Sequence, residues 1–384
     1  MPEETRGIHG GAGDLLLMVG TMKGAFLFRS GDGGGSWEVD GPHFPGEEVY
    51  AMSLDGRGGD NTLWAAPGNP FFGTTLRRSD DLGASWSEKD ARPVKFPEDS
   101  ELSLKRIWQI RPGRAENPDT MYLGVEPSCL FVSTDGGDSW SPVEGFLNHE
   151  HRQYWQPGAG GLCLHTILPD PKSADRILVA FSTGGVYRSD DGGASWRPRN
   201  KGVRAEFLPD KHPEFGQCVH KVVHHPEHPE RLFLQNHWGL YRSDDWGDEW
   251  TDIANGVPSD FGFAMAMHPH DPDTVYIVPL EADQFRCTPE AKLRVYQKAF
   301  VELQTTYVEY QRELAQKEAK LTKGILERMA GILQRMGQRD GYTMIVERNE
   351  GGVMWVPANL DVTDELIQRY NKGEGRSGGG SERR

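Results

Sequence analysis

The chain has 384 residues, 36% hydrophobic and 26% charged, with a formal net charge of −15 at pH 7. That length allows two or more hydrophobic cores, and the acidic balance speaks against nucleic-acid binding, which takes a basic surface. The charge is uneven: residues 1–288 carry 26 Lys and Arg against 43 Asp and Glu, while 289–384 carry 16 against 14, a shift that predicts a domain boundary.

Residues 1–13 have neither the basic nor the apolar region of a signal peptide, so they are expected to be disordered and the protein cytoplasmic. No apolar run has the length of a transmembrane segment. Cys129, Cys163, Cys218 and Cys287 stand far apart without a CxxC pair. This predicts reduced thiols, no disulfide and no metal centre, and no cofactor is expected.

From residue 14 to 288 the pattern Ser-x-Asp-x-Gly-x-x-Trp recurs five times. The copies are Ser30, Asp32, Gly34, Trp37; Ser79, Asp81, Gly83, Trp86; Ser133, Asp135, Gly137, Trp140; Ser189, Asp191, Gly193, Trp196; and Ser243, Asp245, Gly247, Trp250. The tryptophans are 49, 54, 56 and 54 residues apart, the period of a repeat architecture. Each repeat reads as short strands joined by Pro/Asp/His and Gly turns, a β-meander. Asp is expected to accept backbone N–H bonds across a hairpin loop, Gly to supply a left-handed conformation, and Trp to fill the gap beside the third and fourth strands. These are structural roles. The first repeat lacks an obvious first strand. A sixth begins with FAMAMHP, DTVYIVPL and KLRVY, but Gln297-Lys298-Ala299-Phe300 stands where the motif is due.

Aligning the repeats on Pro171, Pro226 and Pro269 puts His165 and His220 at one position, with Gln109 and Phe263 in the neighbouring repeats. If first strands line a central channel, these side chains converge on a polar-ligand or metal site, with His149, His151 and His237 as further candidates. The alternative is channel or core histidines satisfied by backbone partners, and the lack of close His/Asp/Glu spacing favours it over metal.

From about Pro289 the apolar period becomes 3.5. Leu293, Tyr296, Phe300, Leu303, Tyr307, Tyr310, Leu314 and Leu321 form a heptad seam, extended by Ile325, Met329, Ile332 and Met336. It predicts a helical arm over 289–338, roughly 45 residues and about 70 Å long, that needs a partner. Residues 339–371 read as a hairpin (342–347 and 353–357 around Gly351-Gly352) and a short helix capped by Asp361 or Thr363. Residues 372–384 read as a disordered Gly/Ser/Arg tail.

The five-fold motif resembles the Asp-box (BNR repeat) of sialidase-like, sortilin-like and photosystem-assembly-factor-like β-propellers. The resemblance implies a mainly β fold: an incomplete β-propeller of about five blades plus part of a sixth, followed by a long coiled-coil-type α-helix, a β-hairpin and a short helix. Some of its members are glycosidases. Sialidases use an arginine triad, an N-terminal Phe/Tyr-Arg-Ile-Pro motif and a Tyr/Glu nucleophile pair, none identifiable here, so no catalytic residue is assigned.

Asp340-Gly341-Tyr342 and Leu360-Asp361-Val362-Thr363-Asp364-Glu365-Leu366-Ile367 make residues 290–371 resemble the C-terminal half of the Skp/OmpH periplasmic chaperones. That implies trimers, protein partners including unfolded clients, and a periplasmic setting as the alternative to the cytoplasm. The family's first strand and outgoing arm are replaced here by propeller repeats. Three readings follow. One is a non-enzymatic binding protein with a propeller scaffold and a chaperone-like segment. Another is a glycoside-hydrolase-like protein. The last is a gene fusion without a joint function, joined near residues 287–297.

Overall fold

The computed structural model describes residues 14–282 apart from positions 60, 70, 72 and 90, then 293–346, 357 and 360–374; the side chains of 58 and 293–308 are outside that description. The chain divides into two units, Met1–Ala291 and Lys292–Arg384.

The first unit is a succession of antiparallel sheets. The first sheet has three strands, β1 (Leu15–Thr21), β2 (Gly24–Ser30) and β3 (Glu38–His43). The second has β4 (Glu48–Asp55) and β5 (Thr62–Asn69), with β6 (Gly73–Thr74) and β7 (Arg77–Ser79) both on β5. Three four-stranded meanders follow. They are β8 (Arg106–Pro112), β9 (Met121–Glu126), β10 (Cys129–Ser133) and β11 (Ser141–Pro142); then, after α1 (Glu144–Leu147), β12 (Cys163–Pro169), β13 (Ile177–Ser182), β14 (Gly185–Ser189) and β15 (Arg197–Pro198); then β16 (Val219–His224), β17 (Leu232–Asn236), β18 (Leu240–Ser243) and β19 (Thr251–Asp252). The last sheet has two strands, β20 (Phe261–Met267) and β21 (Val275–Leu280).

These are the blades of an incomplete β-propeller. The cores lie between successive blades: Trp64 packs with Leu123 and Phe131, Leu164 and Phe181 with Phe146, and Leu178 with Leu234 and Tyr241. A central strand such as β13 is therefore covered on both faces and reads as the apolar run ILVAF up to Ser182. At the ends only one face is covered among the described residues. Exposure alternates along β1 and β21, with Leu15, Leu17, Tyr276 and Val278 open to solvent.

Glycine permits the closest approaches between blades. A Cβ on Gly20 or Gly124 would sit 2.3 or 2.2 Å from the carbonyl oxygen of Val49 or Leu164 in the next blade. The first sheet lacks an inner strand among the described residues, as the sequence predicts: its motif follows its second strand, β2, whereas Ser133 follows the third strand of its blade. KLRVY does not open a third strand in the last blade. Leu293–Tyr296 are the first turn of a helix, because the heptad period beginning there favours helix over ladder.

The second unit holds α2 (Leu293–Asp340) and α3 (Thr363–Asn371). Along α2, Tyr310, Leu314, Leu321 and Ile325 are exposed, but Ile332 and Met336 are buried against Leu366 of α3. Arg328 clamps α3 by donating to the carbonyls of Tyr370 and Glu374 at 2.5 and 2.7 Å. Asp361 accepts the Thr363 N–H at 3.0 Å; Val362, not Thr363, occupies the cap position. No strand is assigned to 342–346, and 347–356 of the expected hairpin, Cys287, residues 1–13 and 375–384 lie outside the described residues. The seam side chains of Leu293, Tyr296, Phe300, Leu303 and Tyr307 also lie outside them. No described helix is long and apolar enough to cross a membrane.

Candidate functional site

The five motifs fold into one geometry. Each serine hydroxyl donates to the aspartate and accepts the glycine N–H; for Ser189 these distances are 2.8 Å to Asp191 and 2.8 Å from Gly193. The aspartate then takes the backbone N–H four residues on, from Ser36, Ser85, Ser139, Ser195 and Glu249 at 2.8–3.1 Å. The motif glycines have φ of +84 to +100°, a conformation that L side chains rarely adopt. Hydrogen bonds hold the carboxyls of Asp32, Asp81, Asp135 and Asp191 below their ordinary value of 3.8, from Ser30 first for Asp32, Ser85 for Asp81, and Ser139 and Ser195 for Asp135 and Asp191. Such carboxylates are staples, with their lone pairs spent inside the loop.

The tryptophan rings pack beside their own third strand, as Trp196 does with Tyr187 and Trp250 with Tyr241, and also reach the preceding blade. Trp86 Nε1 donates to His43 at 3.3 Å and Trp250 Nε1 to the Arg199 carbonyl at 2.8 Å, whereas Trp140 and Trp196 donate to the Gly137 and Gly193 carbonyls of their own loops. Trp140, Trp196 and Trp250 are buried, but Trp37, with no blade before it among the described residues, is 43% exposed.

A second recurrent feature escapes a linear alignment. In five successive inner strands the ladder slips, after Val49, Ile107, Leu164, Val219 and Gly262. Such β-bulges re-aim one side chain. The bulged positions begin with Tyr50, Trp108, His165, His220 and Phe263, so Gln109 is one residue out of the predicted alignment. Its side chain serves the scaffold, accepting the Ile167 N–H at 2.6 Å.

The bulged residues touch along the inner ends of the blades: Tyr50 and Trp108 have ring centroids 4.8 Å apart, and His220 stacks on Phe263 at 4.5 Å. Trp108 Nε1 donates to buried Glu126 at 3.1 Å, and Arg106 bridges Glu126 and Glu48. His165 donates through Nε2 to the Val219 carbonyl at 2.8 Å, which leaves Nδ1 to accept from Thr166 Oγ1 at 3.0 Å. Both nitrogens are spent. Burial, with Lys221 nearby, lowers its pKa to about 3.

His220 donates through Nδ1 to the Gly262 carbonyl at 2.7 Å, while its Nε2 is 3.6 Å from Cys218 Sγ. His237 joins these two: the ligand atoms of Cys218, His220 and His237 lie within 4.8 Å of one another. Sequence reasoning missed Cys218, whose signal was the Cys-x-His pair repeated at Cys163–His165 and Cys218–His220. His149 and His151 sit apart on a turn after α1, bonded to the Trp196 carbonyl and to Tyr187.

Farther along the same strands lies a basic group. Burial lowers the pKa of Arg111, Lys221 and His224, the last to about 4, and Arg111 depresses the other two further. Arg111 Nε and His224 Nδ1 are buried without a hydrogen-bond partner among the described residues.

Residues 280–370 match the family described as "Outer membrane protein (OmpH-like)". Over 123 residues, 31% of the chain, it is 33% identical to an oligoxyloglucan-reducing end-specific xyloglucanase of Emericella nidulans. A match over 122 residues, 32% of the chain, is 30% identical to the photosystem II assembly lipoprotein Ycf48 of a Synechococcus species. The chain spans only 13% and 29% of those two proteins. Among solved structures, a xyloglucanase from Xanthomonas campestris aligns with TM-score 0.49 and 20% identity over 69% of this chain and 42% of that one. Ycf48 bound to D1 peptide aligns with TM-score 0.33 and 16% identity over 67% of this chain and 84% of that one. The chain therefore joins propeller-type repeats to an OmpH-like segment.

Proposed function

We propose that the protein is a non-enzymatic binding protein in which the propeller is a scaffold and the OmpH-like segment engages unfolded or partly folded polypeptides. The observation that carries this reading is the exposed row Tyr310, Leu314, Leu321 and Ile325 on α2, within the OmpH-like match. An apolar stripe on a helix is stable in water only when something covers it. Among the described residues, α3 covers only its last turns. Sister helices of a trimer or a client chain would cover the rest. Of the two cellular settings expected from sequence, this segment favours the periplasmic one.

The test uses the full chain. Light scattering follows aggregation of a denatured outer-membrane β-barrel protein diluted into buffer, and multi-angle scattering gives the oligomeric state. Stoichiometric chain is expected to suppress aggregation, and Tyr310→Ser/Leu314→Ser/Leu321→Ser to lose most of that suppression. A wild-type chain that is monomeric and does not slow aggregation rejects the reading.

The xyloglucanase relatives suggest hydrolysis instead. Glycosidic cleavage ordinarily takes two carboxyl groups flanking the bond, and the five recurrent aspartates are each tied into their own loop.

A further inference from the structure

We infer that Cys218, His220 and His237 form a binding site for a borderline-soft divalent cation, zinc above all. Backbone register brings the three together. Val219 pairs with Asn236, and the ladder continues outward through the His237 N–H to the Cys218 carbonyl at 2.9 Å. Cys218 and His237 thus face each other at the end of the β16–β17 pair. The bulge at His220 turns its imidazole towards the same point.

The spacing of Cys218 and His220 suits tetrahedral coordination. Zn–S near 2.3 Å and Zn–N near 2.0 Å place sulfur and nitrogen about 3.5 Å apart; Cys218 Sγ and His220 Nε2 are 3.6 Å apart. The Nδ1–H bond from His220 to the Gly262 carbonyl fixes the tautomer with the Nε2 lone pair towards Cys218. That backbone carbonyl is the outer partner metal-bound histidines usually have. Phe261 and Phe263 flank the two imidazoles, His237 lying 4.9 Å from Phe261 and His220 4.5 Å from Phe263. One thiolate and two imidazoles favour zinc or cobalt over magnesium or calcium, which prefer oxygen. Three described ligands leave a fourth position for water or another donor.

The preceding blade is an internal contrast. Cys163 and His165 repeat the Cys-x-His pair, but Ser182 stands opposite Cys163 where His237 would be needed. There both His165 nitrogens are bonded, and burial pushes the Cys163 thiol up to about 12. The same strand pattern sets a second histidine opposite the cysteine in one blade and a serine in the other.

The inference is independent of any role for the OmpH-like segment. Reduced, metal-free full-length chain is titrated with Co2+ while thiolate-to-cobalt charge transfer is read in the near ultraviolet, followed by Zn2+, Mg2+ and Ca2+ competition. One equivalent of Co2+ is expected to bind with a thiolate band, displaced by Zn2+ and unaffected by Mg2+ or Ca2+. Cys218→Ser should abolish the band, and His237→Gln should weaken binding at least tenfold, with native near-ultraviolet circular dichroism in both. Absence of the band in the wild type, or its persistence in Cys218→Ser, overturns the assignment.

Discussion

At the residue scale, much of the polar chemistry lies in groups whose lone pairs are spent inside the fold. Ser30 and Asp32 are fully occupied inside their loop, as are the nitrogens of His165. The buried imidazoles of His165 and His224 make a prediction about acid. Their folded pKa values lie near 3 and 4, against 6.5 in the open chain. Below pH 6.5 the unfolded chain takes up protons that the folded one refuses, so stability falls as pH drops towards these folded values. The lowered motif aspartates extend the loss below 3.8, where the unfolded carboxyls protonate first. Urea midpoints measured from pH 7 to pH 4 should decline, and His165→Gln/His224→Gln should flatten the slope. An unchanged slope in that variant would count against this account.

At the scale of elements, the tryptophan of each motif belongs to the seam between two blades, so its energetic weight depends on whether a preceding blade exists. Trp250 is buried against the blade of Arg199, and Trp37 is exposed. Trp250→Ala should therefore cost about 3–5 kcal/mol, the usual loss for a large buried aromatic. Trp37→Ala should stay within about 0.5 kcal/mol, as surface substitutions do. Denaturant melts of the two variants decide the matter; equal losses would refute the seam assignment. The same reasoning explains why copies that share the four motif residues have unequal burial.

At the scale of the whole molecule, β1 and β21 each pair with one strand only among the described residues, and Leu15, Leu17, Tyr276 and Val278 lie exposed on them. Unpaired strand edges that carry apolar side chains favour association with other chains. Sedimentation velocity should show association growing with concentration beyond any oligomer set by the OmpH-like segment. Leu17→Lys/Tyr276→Lys should reduce it. Association unaffected by both lysines would place the contact elsewhere.

The sequence alone determined the repeat, its period, its hairpin staples and the change to helix near residue 290, because these rest on local spacing and backbone preference. It also pointed to the OmpH-like segment through a contiguous run of residues. The tertiary structure decided what depends on register. A one-residue slip in each inner strand put Trp108 rather than Gln109 in line with His165 and His220. The continuing ladder carried His237 across to Cys218, nineteen positions away in sequence. A bulge leaves no mark in residue spacing because its extra residue looks like any other along the strand; only the partner strand reveals it.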